Sequence, residues 1–362
     1  MTAPLTLRSI EARGVDVPMK HVLGTSQAAL RKAPLLLVDV TTEEGVTGRS
    51  YVFCYRHAAA PAIGSLLGDI QAALRGERVA PVELSAKLAR HFTLLGASGP
   101  VRMAISAFDA ACWDALAIAA GMPLASLLGG APRPIRAYNS NGLGLIPLDA
   151  LERETDELLE GGFRAVKLRL GHPTLEADLA AVRAVRGRLP PGVSLMVDYN
   201  QALSATEAAR RGRALDGEGV HWIEEPIRHD DLRGCAHVTR EVATPVQIGE
   251  NFTMQEMVDA LALRACDLVM PDLCRIGGVT GWLTAASLAS AHGIPMSSHL
   301  YPELSAHLLA VTPTCDWLEY VDWADAIVNE PLRILDGNAV VPERPGAGLT
   351  WNEEAVARYR FC

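Results

Sequence analysis

From Ala137 onward the chain repeats one pattern, a short apolar strand followed by a helix-length amphipathic stretch, about every 20–30 residues. Eight segments carry the strand signature: "RAYNSNGL", "AVKLRLG", "SLMVDYN", "HWIEEP", "PVQIGEN", "CDLVMPD", "IPMSSHL" and "WLEYVD". All but the last lead into a helical stretch. Strands joined through helices run parallel, and eight of them predict a (β/α)-barrel, a modified TIM barrel, rather than an open sheet. An open doubly wound sheet usually carries a Gly-rich phosphate turn after its first strand. No G-x-G-x-x-G stands there, and "IGGVTG" follows a later strand.

The first 130 residues read differently. "LTLRSIEARGVDVP" and "PLLLVDVTTEEGVTGRSYVF" are strand-like, the second turned at Glu44-Gly45, and helices are predicted near 58–76, 83–95 and 101–121, the last closed by Gly121. Residues 1–130 thus form an α+β domain, 131–322 the barrel, and 323–362 a segment whose "LRILDGNAVVPERPGAGLTW" is expected to be a hairpin and loop returning to the first domain. With 362 residues, 49% of them hydrophobic, the chain can bury cores for both domains. A net charge of -9 without a Lys/Arg block argues against nucleic acid as a partner. Seven scattered cysteines without a C-x-x-C pair, and no signal-like or membrane-length apolar run, lead to the expectation of a cytoplasmic protein.

Function is read from the strand ends, because the carboxyl ends of barrel strands carry the active site. They hold Lys167 and Arg169, Asp198 and Asn200, Glu224 and Glu225, Glu250 and Asn251, then Asp272, His299 and Glu319. A barrel built for stability alone would not gather so many groups that lose hydration there. Asp198, Glu224 and Glu250 come from three successive strands, and crowded carboxylates call for a hard divalent ion, Mg²⁺ or Mn²⁺. Capping a helix or pairing with an arginine is the alternative for any one of them alone. Glu225 alternates to the opposite face from Glu224, which fits a structural role.

Asp272 beside His299 is the arrangement a general base needs, since the carboxylate fixes the tautomer and raises the basicity of the ring. Glu319 could donate a hydrogen bond to developing charge if burial keeps it protonated or strongly shared. Lys167 and Arg169 alternate onto the barrel side of their strand and are expected to face the acidic cluster. There Lys167 would neutralise a substrate carboxylate, with Arg169 lying opposite His299; the alternative is that both cations merely offset the acids. Together these groups suit removal of a proton α to a carboxylate, which creates an enolate needing charge stabilisation. No G-x-S-x-G elbow is present, and no cysteine lies among the strand-end residues. Glycoside hydrolysis would use two of the acids and leave the Lys-x-Arg pair unexplained.

The motifs "GFRAVK", "MVDYNQ", "WIEEP", "GEN", "MPD", "IGGVTGW", "GIPMSSHL" and "SAHLLA" resemble the enolase superfamily, specifically its mandelate racemase subgroup, over nearly the whole chain. The resemblance implies Asp198, Glu224 and Glu250 as Mg²⁺ ligands, Asp272–His299 as the base dyad, Glu319 as the electrophilic acid, and Lys167 and Asn200 on the substrate carboxylate. It makes the first domain a capping domain whose loop near 18–32 covers the substrate, and implies a homo-oligomer, commonly an octamer. Where the subgroup has Lys-x-Lys, this chain has Lys167-Leu168-Arg169. A guanidinium stays protonated under almost all conditions, so Arg169 argues against two-base racemisation and for elimination, with Arg169 binding a substrate hydroxyl or carboxylate bidentately. Lys20, His21, Ser26 and Gln27 in the loop, and Ser140 in "YNSNG", point to polar walls suited to a polyhydroxylated acid. Three readings stand: an acid-sugar dehydratase, a 2-hydroxy-acid racemase or epimerase, and a non-catalytic carboxylate-binding barrel.

Overall fold

Three antiparallel strands, β1 (Leu7–Gly24), β2 (Ala29–Thr42) and β3 (Thr47–Phe53), open a computed structural model that describes residues 4–362. The β2–β3 turn falls at Gly45, whose φ of 83° suits glycine. Helices α1 (Ala59–Leu74), α2 (Pro81–His91) and α3 (Gly99–Ala119) pack behind this sheet, close to the predicted spans. At Gly48 the sheet touches α3 so closely that a Cβ would stand 2.0 Å from the Ala111 carbonyl oxygen. Gly121, at φ 65°, follows the end of α3. A short α4 (Leu124–Leu127) leads into the barrel.

There strands and helices alternate: β4 (Ile135–Asn139), α5 (Leu148–Leu159), β5 (Ala165–Arg169), α6 (Leu175–Arg188), β6 (Ser194–Asp198), α7 (Ala205–Leu215) and β7 (Ile223–Glu224). Next come α8 (Leu232–Glu241), β8 (Val246–Ile248), α9 (Met254–Leu263), β9 (Leu268–Val269), α10 (Leu273–Ile276), α11 (Gly278–His292), α12 (Pro302–Ala310) and β10 (Leu318–Tyr320). Neighbouring strands from β4 to β9 pair parallel, and β10 pairs parallel with β4. Thr174, Ser204 and Thr253 cap α6, α7 and α9 by accepting from the backbone N–H three residues on, each worth about 1 kcal/mol.

The expected strand "IPMSSHL" is reduced to single bridges, Met296 to Val269 and Cys315, and His299 to Asp272. Its two serines spend their hydroxyls on the next segment, Ser297 accepting from Trp317 N and Ser298 from Glu319 N. The C-terminal hairpin is also a correction. Its strands β11 (Ile334–Leu335) and β12 (Asn338–Ala339) join the barrel, β12 pairing antiparallel with β4, rather than the first domain. Only beyond it does the chain reach the first sheet. Asp114 of α3 accepts from Ala347 N at 2.6 Å, Trp351 Nε1 donates to Asp39 at 2.8 Å, and α13 (Glu353–Tyr359) packs on β1.

β5 shows how the barrel sorts its residues. Val166 and Leu168 pack outward with Leu151, Val182 and Val185, while Ala165 joins Tyr138, Met196, Trp222 and Trp317 in an apolar cluster inside. Lys167, 5.7 Å from the Tyr138 ring, lies next along that inner face.

His307 of α12 is buried and accepts from Ala125 N at 3.2 Å. Burial pushes its pKa down to about 4. The unfolded chain therefore binds the extra proton first, and stability is lost as pH falls from 6.5 toward 4, by about 3 kcal/mol for a fully buried ring. His307→Asn keeps an acceptor without that titration. Urea midpoints of the two proteins should move together above pH 7 and separate below 6, wild type falling faster; parallel midpoints down to pH 4 would contradict this.

Among the described residues no helix is long and apolar enough to cross a membrane. All seven cysteines are unpaired.

Candidate active site

Lys167 stands at the centre of the strand-end cluster. Its Nζ lies 2.5 Å from Glu224 Oε1, 2.8 Å from Glu319 Oε1 and 3.3 Å from Asp198 Oδ2, with all four side chains buried. Burial opposes its charge, but Glu224, Glu319 and Asp198 outweigh burial and hold its pKa above the usual lysine value. One ammonium serves three carboxylates. Burial, with Asp198 and Glu319 nearby, pushes Glu224 up despite Lys167, whereas Lys167 and His299 overcome burial and hold Glu319 low. Glu319 also accepts from Ser140 Oγ at 2.7 Å and Leu300 N at 2.9 Å. Of the two states expected for Glu319, protonated or strongly shared, its contacts match the second, and the donor in that corner is Lys167.

Arg169 lines the same cavity but does not join the acids. Nη1 donates to the Gly142 carbonyl at 2.7 Å, and Nη2 to Ser140 O and Oγ at 3.0 and 3.2 Å. Nε is buried without a partner. With Nη2 spent on Ser140, the fork of Nε and Nη2 is closed to a bidentate substrate, and Nε and the second N–H of Nη1 are the donors left over. Ser140, expected as a substrate contact, is instead the buried link between Arg169 and Glu319. His21 is also displaced from its expected place. It lies 3.9 Å from Glu154 and 3.8 Å from Glu157, in a separate polar cleft with Lys20 and Asn141.

His299 and Asp272 meet as expected, Nδ1 to Oδ2 at 2.7 Å. Asp272 is fixed in turn, because its Oδ1 caps α10 by accepting from Cys274 N at 2.7 Å and Arg275 N at 3.2 Å. Nε2 of His299 faces Glu250 Oε2 at 3.4 Å. Burial lowers the ring's pKa, yet Glu250 and Asp272 more than compensate and raise it to about 9.

Asp198 and Glu224 sit opposite each other in the β6–β7 register, with Glu250 just beyond β8. Among the described residues no three His, Cys, Asp or Glu groups already form a chelate, which corrects the expectation of a ready-made cluster. Asp198 accepts from Asn200 N and Nδ2 at 2.7 and 2.9 Å, Glu224 is held by Lys167, and Glu250 accepts from Asn251 Nδ2 at 3.1 Å. The donor chemistry still fits a hard divalent cation: all three are carboxylates, and a single ammonium faces several of them. Glu225 turns away, accepting from Gly249 N at 2.9 Å.

The cavity these groups line measures about 200 Å³. Lys167, Arg169, Asp198, Asn200, Glu250 and His299 form its polar side, and Glu319 closes it beyond them. Opposite are Leu23, Leu30, Phe53, Tyr55, Leu300 and Trp323. Of the four polar loop residues expected there, only Gln27 reaches the cavity; Ser26 Oγ donates to Tyr199 O at 3.2 Å. The wall is therefore half apolar. Sequence reasoning missed Phe53, Tyr55 and Trp323, although the first two end the strand-like "SYVFCY" and the third follows the last barrel strand. A larger surface groove, about 900 Å³, runs along residues 330–333 and 340–344 and holds none of these groups.

Residues 9–129 match the mandelate racemase / muconate lactonizing enzyme N-terminal domain, and residues 150–355 the enolase C-terminal domain-like family. The chain belongs to the enolase superfamily, in its mandelate racemase subgroup. It is 33% identical to L-talarate/galactarate dehydratase of Salmonella typhimurium, across 92% of this chain and 84% of that one. An enolase from the alpha proteobacterium BAL199, solved with bound Mg, is 44% identical with a TM-score of 0.96, covering 99% of this chain and all (100%) of that one. A Bradyrhizobium enolase complexed with magnesium and mandelic acid is 43% identical with a TM-score of 0.95, both chains covered to 100%.

Proposed function

We propose that this chain removes the α-proton of a 2-hydroxy carboxylate with His299 as its single base, and that the reaction is dehydration of an acid sugar to a 2-keto-3-deoxy acid. One observation carries this reading. Of the nitrogen groups on the polar side, Lys167 and Arg169 are committed as charged donors, and only His299 presents a ring nitrogen, Nε2, that can take up a proton. Nε2 would accept the α-proton while the bonding pair moves onto the carboxylate. The pair then returns to form a Cα–Cβ double bond, the β-hydroxyl leaves, and the same imidazolium protonates it to water. The enol left behind tautomerises to the keto acid. Lys167 would neutralise the substrate carboxylate, beside Asn200.

Asp198, Glu224 and Glu250 would hold Mg²⁺, with Mn²⁺ able to replace it. When bound, the ion supplies positive charge against the second negative charge that forms as the α-proton departs. A cation drawing on Glu250 would also remove the foremost influence that raises His299. EDTA is expected to abolish turnover, and added Mg²⁺ or Mn²⁺ to restore it; full activity after exhaustive chelation would rule out these ligands. The unpaired cysteines support a cytoplasmic setting, and the family resemblance supports a homo-oligomer, with an octamer as the expected size.

A second reading, racemisation of a 2-hydroxy acid, is favoured by the apolar side of the cavity, which suits an apolar substituent, and by the likeness to the mandelate-bound Bradyrhizobium protein. It requires a second base, which a guanidinium does not provide. Incubation with a panel of acid sugars and 2-hydroxy acids in D₂O decides. Keto acid without epimer is the expected result, and epimer without keto acid would establish racemisation. No exchange across the panel would leave a carboxylate-binding barrel without catalysis.

A further inference from the structure

A second cavity, about 250 Å³, lies on the other side of Tyr55 from the substrate cavity, and Tyr55 is the one residue that lines both. Two arginines from different elements enter it, Arg102 of α3 and Arg275 of α10. Among the described residues neither guanidinium has a carboxylate within salt-bridge distance. Arg102 makes one hydrogen bond, from Nε to the Ala97 carbonyl at 3.2 Å, and its Nη1 packs beside Gly277. Arg275 makes no side-chain hydrogen bond and lies over the Tyr55 ring, 5.1 Å from its centre. Both arginines are half-buried, and two guanidiniums sharing one cavity repel each other.

Burial depresses Arg102 with no acid opposing it; at Arg275 burial is outweighed by Tyr55, Asp272 and Glu250, although both of those acids are engaged with His299, and so the charge left without an offset in the cavity is that of Arg102. Asn251 and Thr253 contribute an amide and a hydroxyl, and Gly99 opens the 21-residue α3, whose preceding Ser98 leaves the first N–H groups uncapped by its side chain.

We propose that the cavity between Arg102 and Arg275 is an accessory binding site for a small oxyanion, a carboxylate or an inorganic anion such as sulfate, separate from the substrate cavity. A planar or tetrahedral oxyanion would take N–H donors from both guanidiniums and cancel their repulsion. Because Arg275 stacks on Tyr55, occupancy reaches the apolar wall of the substrate cavity.

The test is a calorimetric titration of the Mg²⁺-loaded protein with sodium sulfate at constant ionic strength. One saturable sulfate per chain is expected, retained in His299→Asn and weakened at least 10-fold in Arg102→Gln and in Arg275→Gln. Thermal melts of the variants separate lost binding from lost folding, and either arginine variant that folds is sufficient. Absence of saturable binding, or unchanged affinity in a folded arginine variant, would overturn the proposal. A change of oligomer size in Arg102→Gln, with no sulfate bound by wild type, would identify the anion as a carboxylate of a neighbouring copy and likewise end it. None of these readouts depends on turnover, so the outcome is independent of the reaction assigned above.

Discussion

His299→Asn should lower kcat by about 10²–10⁴-fold, the range that a positioned general base supplies. Asparagine can keep a hydrogen bond to Asp272, so the α10 cap and the fold around it should survive. What disappears is the second ring nitrogen, the one turned toward Glu250 and the cavity. The diagnostic is exchange of the substrate α-proton with D₂O, which should vanish along with product formation, while binding of a carboxylate inhibitor changes little. Asp272→Asn should give a smaller loss together with a shifted pH–rate profile, because Asp272 acts by holding the ring. Turnover of His299→Asn at the wild-type rate would remove the base assignment and the reaction built on it.

Lys167→Met should be the most destabilising single change in the barrel, at about 3–5 kcal/mol, since removing one partner of a buried ion cluster strands the others. Glu224, Glu319 and Asp198 would then face one another with no cation between them, and methionine fills the space without restoring charge. Urea denaturation at pH 7 reads the loss. The penalty should shrink at pH 5, where the stranded carboxyls can take up protons, and Mg²⁺ should recover part of it by supplying the missing positive charge. A variant as stable as wild type at pH 7 in EDTA would show that the ammonium is not what holds these acids together.

Much of the architecture was readable from the strand rhythm, and the reason is physical. Parallel strands need helical crossovers, so apolar strand and amphipathic helix must alternate along the chain, and the polar residue ending each strand marks the rim. The Asp272–His299 contact was legible for the same reason, as neighbouring strand ends are brought together by the closure of the sheet. What escaped depends on side-chain direction. The alternation of β5 correctly turned Lys167 and Arg169 toward the barrel, but it carries no information on partners. Gly142 and Ser140 capture Arg169 chiefly with backbone oxygens that any sequence would supply, while Lys167 offsets the acids, the alternative that alternation alone could not decide. Between the two states open to Glu319, burial alone could not choose; the Lys167 ammonium beside it does.

The cavity wall failed differently. Loop residues 18–32 were judged by composition, yet an extended segment presents only alternate side chains to one side, and it is Leu23 and Leu30, rather than Lys20 or His21, that reach the cavity. Phe53 and Trp323 arrive from separate parts of the chain, so their meeting, with ring centres 4.7 Å apart, could not be read from either segment.

The path of the final residues bears on how substrate gets in. After its hairpin zips onto β4, the chain crosses to the first sheet, where Trp351 holds Asp39, Glu353 meets Arg13 at 2.6 Å, and the terminal carbonyl of Cys362 accepts from Gly14 N at 2.9 Å. A strap anchored at both ends resists any hinge-like swing of the sheet away from the barrel. The β1–β2 turn is held in that fixed frame, with Thr25, Gln27 and Ala28 set into the cavity wall where an incoming molecule meets them.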